Sequence, residues 1–202
     1  MAEEKKKQRG RPRAFNREEA LRGALSLFWQ QGYEPTSISQ LCDVMQINKP
    51  SLYAAFGNKS DLFLEAVDYY ETTYWDGVWQ QMFNEPDLRK AIKDFFITSS
   101  EILTSREIPC GCMVVLAAIN IRSSETEILK VIRQLRLEGY DWFRKRLLKG
   151  REDGQLGLDV DIDALAVALN TFLEGLSIQV HDGVDAEMLK AVARCAVDMI
   201  PD

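Results

Sequence analysis

GYEPTSISQLCDVMQINKPSLYAAFGNK, residues 32–59, is the stretch whose spacing decides the fold. Ile38, Leu41, Cys42 and Met45 recur at three- and four-residue steps, which places them on one face of a short helix starting at Thr36. Gln46, Ile47 and Asn48 read as a turn. Asn48 is a capping residue, and Pro50 lies in a first helical turn, where a missing N–H costs nothing. Leu52 and Phe56 give this third helix its inward face. Short helix, tight turn and helix, braced by a preceding helix, make a helix-turn-helix, whose second helix enters the DNA major groove. Lys49, Pro50, Ser51, Tyr53 and Ala54 fall opposite Leu52 and Phe56, so helical spacing leaves them available to a ligand.

Outward from this stretch the chain reads as helical throughout. Asn16 caps a first helix, with Glu19 as its capping-box partner, and Leu21, Ala24, Leu25 and Phe28 form its apolar stripe. Gly32 closes it in the left-handed region and Tyr33 packs back. Residues 1–14 are a basic arm, residues 15–58 the helix-turn-helix domain, and residues 59–202 a helical body. In the body one helix is expected from Lys59 to Gln81, and Pro86 and Asp87 open another to Ser105. Pro109 and Gly111 precede an apolar helix from Met113 to Ile121. Ser124 caps a long helix to Gly150, Asp161 one ending at Asp182–Gly183, and Asp185 a last one to Ile200. With no period-2 alternation, the expectation is an all-α protein of about nine helices.

Of the 202 residues 46% are hydrophobic and 28% charged, which excludes disordered, collagen-like and disulfide-scaffold classes. No apolar run nears the ~20 residues of a membrane span. The charged N-terminus is unlike a signal peptide, so a cytoplasmic protein without a membrane partner is expected. Its four cysteines are then free thiols. The formal net charge of -6 is unevenly spread. Basic residues prevail in residues 1–60 and acidic ones in the remainder, so a polyanion partner is expected at one end only.

The segment from Gly32 to Ile38, the run from Ile47 to Phe56, and Lys59 and Leu62 beyond it resemble the DNA-binding domain of TetR-family transcriptional regulators. The resemblance implies that Thr36 or Ser37 donates to a DNA phosphate and that Tyr53 and Lys59 hold phosphates. Lys49 would read a base, most simply guanine O6 or N7. Ser51 would meet phosphate or base, and Ala54 would offer a methyl to thymine. Gln46 departs from the family's usual glycine, and a non-glycine left-handed residue costs roughly 1–2 kcal/mol, which leaves room for a differently shaped turn. Arg9, Gly10, Arg11, Pro12 and Arg13 resemble an AT-hook core suited to the minor groove; the alternative is a solvated basic tail.

The resemblance also implies a homodimer on a palindromic operator, a repressor in function class, and a small-molecule effector. One recognition helix reads few base pairs, so a two-fold dimer is expected on physical grounds too. Leu165, Leu169, Leu173, Leu176, Met188, Val192 and Met199 form stripes on the last two helices, for the dimer interface or the intrachain core. Trp75, Trp79, Phe96, Met113, Tyr140, Phe143 and Phe172 could line a pocket for an apolar or aromatic effector, or simply pack the core. Cys110 and Cys112 fall at a helix start, where the macrodipole lowers thiol pKa, and read as a thiol sensor or as inert residues. With His181 as the one histidine, no metal or cofactor is expected. No nucleophile elbow or phosphate loop appears, so the chain is not read as an enzyme. The alternative to a regulator is a helical interaction module that binds nucleic acid nonspecifically.

Overall fold

The computed structural model describes residues 15–105, 108–109, 111–116, 121 and 124–201. Arg9, Arg11, Arg13 and Cys110 lie outside the described residues. Helix α1 (Arg17–Gln31) starts at Asn16, whose side chain accepts from the Glu18 and Glu19 N–H groups. It ends at Gly32, where φ is 83°. Its buried stripe of Leu21, Ala24, Leu25 and Phe28 packs on α2 (Ile38–Met45) and α4 (Lys59–Tyr70). Ser37, not Thr36, starts α2: its hydroxyl accepts from Gln40 N–H while the Gln40 side chain accepts from Ser37 N–H. Helix α3 (Lys49–Phe56) is capped by Asn48, with Pro50 in its first turn.

The turn between α2 and α3 keeps left-handed geometry despite its glutamine. Gln46 sits at φ 54°, ψ 38°. Its side-chain amide donates to the Asp43 carbonyl at 2.6 Å, and Ile47 N–H closes the turn on Cys42 at 3.1 Å. A local bond offsets part of the backbone cost, and the turn is not reshaped.

The long rod after Lys59 is not a uniform helix. α4 passes into a π-helical turn (Glu71–Trp75) and then into α5 (Asp76–Asn84), three residues beyond the expected end. The residues at both joints keep right-handed helical dihedrals, so the rod is continuous. Asp87 caps α6 (Leu88–Leu103), and α7 (Met113–Leu116) follows. In helix α8 (Thr126–Glu152) Glu125, not Ser124, holds the N-cap position, with no side-chain cap. Asp161 caps α9 (Ile162–His181), and Asp185 caps α10 (Ala186–Cys195). A 3₁₀ turn (Ala196–Met199) occupies the end expected to be α-helix. With the α4–π–α5 rod counted once, nine helical rods and no strand are found among the described residues.

In the body, α8 lies on α9, and α6 lies between α5 and α10. Edge-on rings fill the centre: Phe143 meets Trp79 at 5.3 Å and Phe95 at 5.1 Å, and Phe96 meets Phe172 at 5.2 Å. Arg146 is fully buried here, donating to the carbonyls of Met82, Glu85 and Pro86. It thereby serves the open carbonyls at the end of α5. The N-terminal domain docks through Trp29, whose indole N–H donates to the Gly111 carbonyl at 3.0 Å and whose ring meets Tyr70 at 4.7 Å.

Candidate nucleic-acid interface and body cavity

Helix α3 is held by Leu52 and Phe56, both buried. Lys49, Pro50, Tyr53 and Ala54 are exposed, Tyr53 by 50%, and Ser51 is half-buried. A ring left that open is outside the core and available to a partner. Arg17 locks the back of α3: its guanidinium lies 4.5 Å from the Phe56 ring centre, donates to the Ala55 carbonyl, and pairs with Glu65 of α4. The sequence reading missed this brace, because the three partners are distant in sequence.

Two of the expected phosphate contacts are otherwise engaged. Thr36 is 1% exposed, and its hydroxyl donates to the Gly32 carbonyl at 2.7 Å. Its side chain fixes the loop from within, so of the two alternatives Ser37 is the exposed one. Ser37 Oγ itself also bonds Gln40 Oε1 at 2.8 Å. Lys59 turns toward its own domain, with Nζ 4.3 Å from the Tyr33 ring centre and 3.3 Å from the Glu34 carbonyl. It ties the start of α4 to the loop before α2.

The body holds an open-mouthed cavity of about 60 Å³ between the π turn, α5, α7, α8 and α9. Of the expected pocket residues only Trp75 and Trp79 line it. Phe96, Met113 and Phe143 are fully buried core, and Phe172 packs against Phe96. Tyr140 lines an adjoining outer hollow with Leu137 and Val167, which shares Arg136, Asn170 and Glu174 with the cavity. The other expected rings pack on one another, which is the core-packing alternative for them. The open wall is mostly apolar, with Trp75, Trp79, Val114, Val115 and Leu135 beside the polar Glu71, Arg136, Asn170, Glu174 and Ser177. Gly139 makes the close approach of α8 to α9 possible, since a Cβ there would meet Asn170 Oδ1 at 2.7 Å. No sequence pattern flagged these polar residues, because charged positions on helices usually face solvent.

The cavity's electrostatics are unusual. Burial, with Asp76 and Glu138 nearby, pushes the Glu71 carboxyl up to about 8. Burial, with Glu71 beside it, pushes the Cys112 thiol up to about 11, opposite to the lowering expected of a helix start. Arg136 Nη2 donates to the Val114 and Val115 carbonyls. Trp75 Nε1 and Ser177 Oγ are buried with no hydrogen-bond partner, and both residues line the cavity. Buried polar atoms left unpaired are rare, and each calls for a partner. Among the described residues no cluster of three or more His, Cys, Asp or Glu could hold a metal, and no helix is long and apolar enough to cross a membrane.

The expected dimer stripe is split. Leu169 and Leu176 are core at 0% and 2% exposure. Leu165, Leu173, Val192 and Met199 are half-buried, and Met188 is exposed. The outward face of α9 is instead Val167, Thr171, Gly175 and Ile178, with Val167 and Ile178 exposed by 53% and 45%.

Residues 20–66 match the family described as bacterial regulatory proteins, tetR family. Over 98% of this chain and 94% of the relative, the sequence is 30% identical to the HTH-type transcriptional repressor ComR of Escherichia coli (strain K12). It is 28% identical to the HTH-type transcriptional repressor BdcR of the same strain, over 95% of this chain and 92% of the relative. Among solved structures, a cysteine mutant of the TetR family transcriptional regulator CifR, complexed with 26-bp double-strand operator DNA, is 38% identical. It superposes with a TM-score of 0.90, covering 95% of this chain and 100% of that one.

Proposed function

The chain belongs to the TetR family of bacterial regulatory proteins and is a transcriptional regulator, not an enzyme; from that membership we propose that it represses transcription as a homodimer on a palindromic operator and is released when its body cavity fills. The observation that carries the reading is the α3 surface, where Lys49, Pro50, Tyr53 and Ala54 stand open over a buried Leu52 and Phe56. CifR, 38% identical, is seen on double-strand operator DNA, and ComR and BdcR are named repressors, which supports the same use here. Lys49 reads a base edge, while Tyr53, Ser37 and Ser51 hold backbone phosphates. Arg9, Arg11 and Arg13 add minor-groove or nonspecific attraction.

The outward α9 face of Val167, Thr171, Gly175 and Ile178, with Met188 nearby on α10, is where two copies meet. Small residues there let helices approach closely, and exposed apolar side chains gain by burial. A two-fold dimer sets its recognition helices one DNA turn apart, ~34–36 Å.

The α4–π–α5 rod supplies the link between sites. Lys59, at its start, holds the loop before α2, and Glu71 and Trp75, twelve and more residues along, line the cavity. A ligand that moves the π turn therefore moves the element on which the DNA-binding domain rests, and so the spacing of the two α3 helices. Release by filling the cavity is favoured over thiol modification of Cys112, because burial holds that thiol neutral.

The test is selection of genomic DNA fragments by the purified chain at moderate salt. An enriched palindrome with two half-sites about one turn apart supports the reading. Uniform recovery of all fragments would sink it, leaving a nonspecific nucleic-acid binder.

A further inference from the structure

The regulator reading says that the cavity is occupied but not by what, and the lining residues narrow the chemistry. Glu71 and Glu174 both face this space, with Asp76 and Glu138 close to Glu71. No basic side chain among the described residues pairs with Glu71 or Glu174. Glu174 receives only a long bond from Asn170 Nδ2, at 3.4 Å. Arg136, the basic residue of the lining, gives its Nη2 to two main-chain carbonyls instead of a carboxylate. The charged neighbours of Glu71 are thus the acidic Asp76 and Glu138, which together with burial keep its carboxyl protonated near neutral pH, while Arg136 is a cation elsewhere in the same lining. A buried carboxyl in that setting is favoured by any cation that enters.

Two further features point the same way. Trp75 and Trp79 form one wall, with ring centres 6.3 Å apart and planes inclined by 34°. Tryptophan is the strongest aromatic partner for an organic cation. Ser177 Oγ and Trp75 Nε1 are buried and unpartnered on this same lining. The hydroxyl can accept from an ammonium, whereas the indole N–H can only donate and so asks for an acceptor on the ligand.

We propose that the cavity takes a compact organic cation, a protonated amine with an oxygen acceptor beside it. The ammonium lies between Glu71 and Glu174 and donates to Ser177 Oγ. The oxygen accepts from Trp75 Nε1. The body of the molecule lies along the two tryptophans, with Val114, Val115 and Leu135 on the apolar side. A carboxylate in the same place would meet Glu174 as a like charge, and a neutral molecule would leave Glu71 holding its proton with no new partner. The assignment rests on the reading that the effector occupies this cavity.

The test uses the full chain and three molecules of one shape: 2-amino-1-phenylethanol, 1-phenylethane-1,2-diol and mandelate. All carry the same ring and the same benzylic hydroxyl, and they differ in being cationic, neutral and anionic. Calorimetric titration should give the amine an affinity roughly tenfold or more above the diol, with mandelate weakest. Glu71→Gln should cut the amine's advantage over the diol about tenfold while leaving the diol within about twofold. Glu174→Gln is the second variant should Glu71→Gln fail to fold. Mandelate binding as tightly as the amine overturns the proposal. So does an amine advantage unchanged by either substitution, or no amine binding at millimolar concentration. Retention of the selected operator fragment is measured on the same preparations. A chain that holds the fragment but shows no preference for the amine refutes the cation alone. Failure to hold any fragment refutes the regulator reading instead.

Discussion

Replacing Lys49 by alanine should relax base preference at one position in each half-site, at about 1–3 kcal/mol, with the remaining positions unchanged. Competition binding against a half-site mutation series reads this directly. Thr36→Val tests the opposite expectation. It removes a buried hydroxyl that donates to Gly32, so it should lower stability by about 1 kcal/mol and leave the salt slope of DNA binding alone. A shallower slope would return Thr36 to the phosphate contacts. Glu71 makes stability depend on pH in a definite sense. Its folded pKa of about 8 lies above the ordinary 4.5, so the native state binds the proton more tightly than the unfolded chain. Its contribution is therefore lost progressively as pH rises from about 4.5 to about 8. The thermal midpoint of Glu71→Gln should fall less over that range than that of the unaltered chain. What was legible at this scale was local. Asn16, Asn48, Asp87, Asp161 and Asp185 were read as caps, because a cap bonds within three residues of itself. The contacts of Thr36 and Lys59 with Gly32, Tyr33 and Glu34 were not legible, because they are set by how a loop folds back.

At the scale of elements, the turn at Gln46 and the π turn at Glu71–Trp75 are where the backbone departs from simple expectation. Gln46→Val puts a β-branched residue at φ 54° and deletes the amide bond to Asp43, so it should destabilise by about 1–2 kcal/mol or more. Gln46→Gly should be tolerated, because glycine enters the left-handed region freely. Chemical denaturation midpoints of the pair separate strain from loss of the side chain; equal losses would show that the backbone carries none of the effect. The π turn was invisible in the sequence. Apolar periodicity runs through residues 59–81, and one extra residue in a turn changes no composition. It rotates the following helical face by roughly 100°, which brings Trp75 and Trp79 to the cavity with Glu71. The all-helical pattern was therefore readable and the register of one rod was not, and the cavity depends on that register.

For the whole molecule, the fold was legible because the apolar stripes of amphipathic helices name their own inward faces. Which stripe meets a second copy was not, since a dimer face and a core face look alike until the monomer is packed. Leu169 and Leu176 went inside, and Val167 and Ile178 stayed out. Val167→Glu with Ile178→Glu should accordingly convert a dimer to a monomer in sedimentation and reduce operator affinity by a hundredfold or more, with helical content retained; a dimer that survives both charges would move the interface elsewhere. The N-terminal domain and the body meet partly through Trp29, whose indole N–H bonds a main-chain carbonyl, that of Gly111. That joint uses a main-chain acceptor on one side and the rings of Tyr70 and Tyr74 on the other, so it asks for a tryptophan at position 29 and aromatic partners on the rod. A head grafted from a related protein would therefore keep its seat only where that tryptophan and its ring partners are retained together.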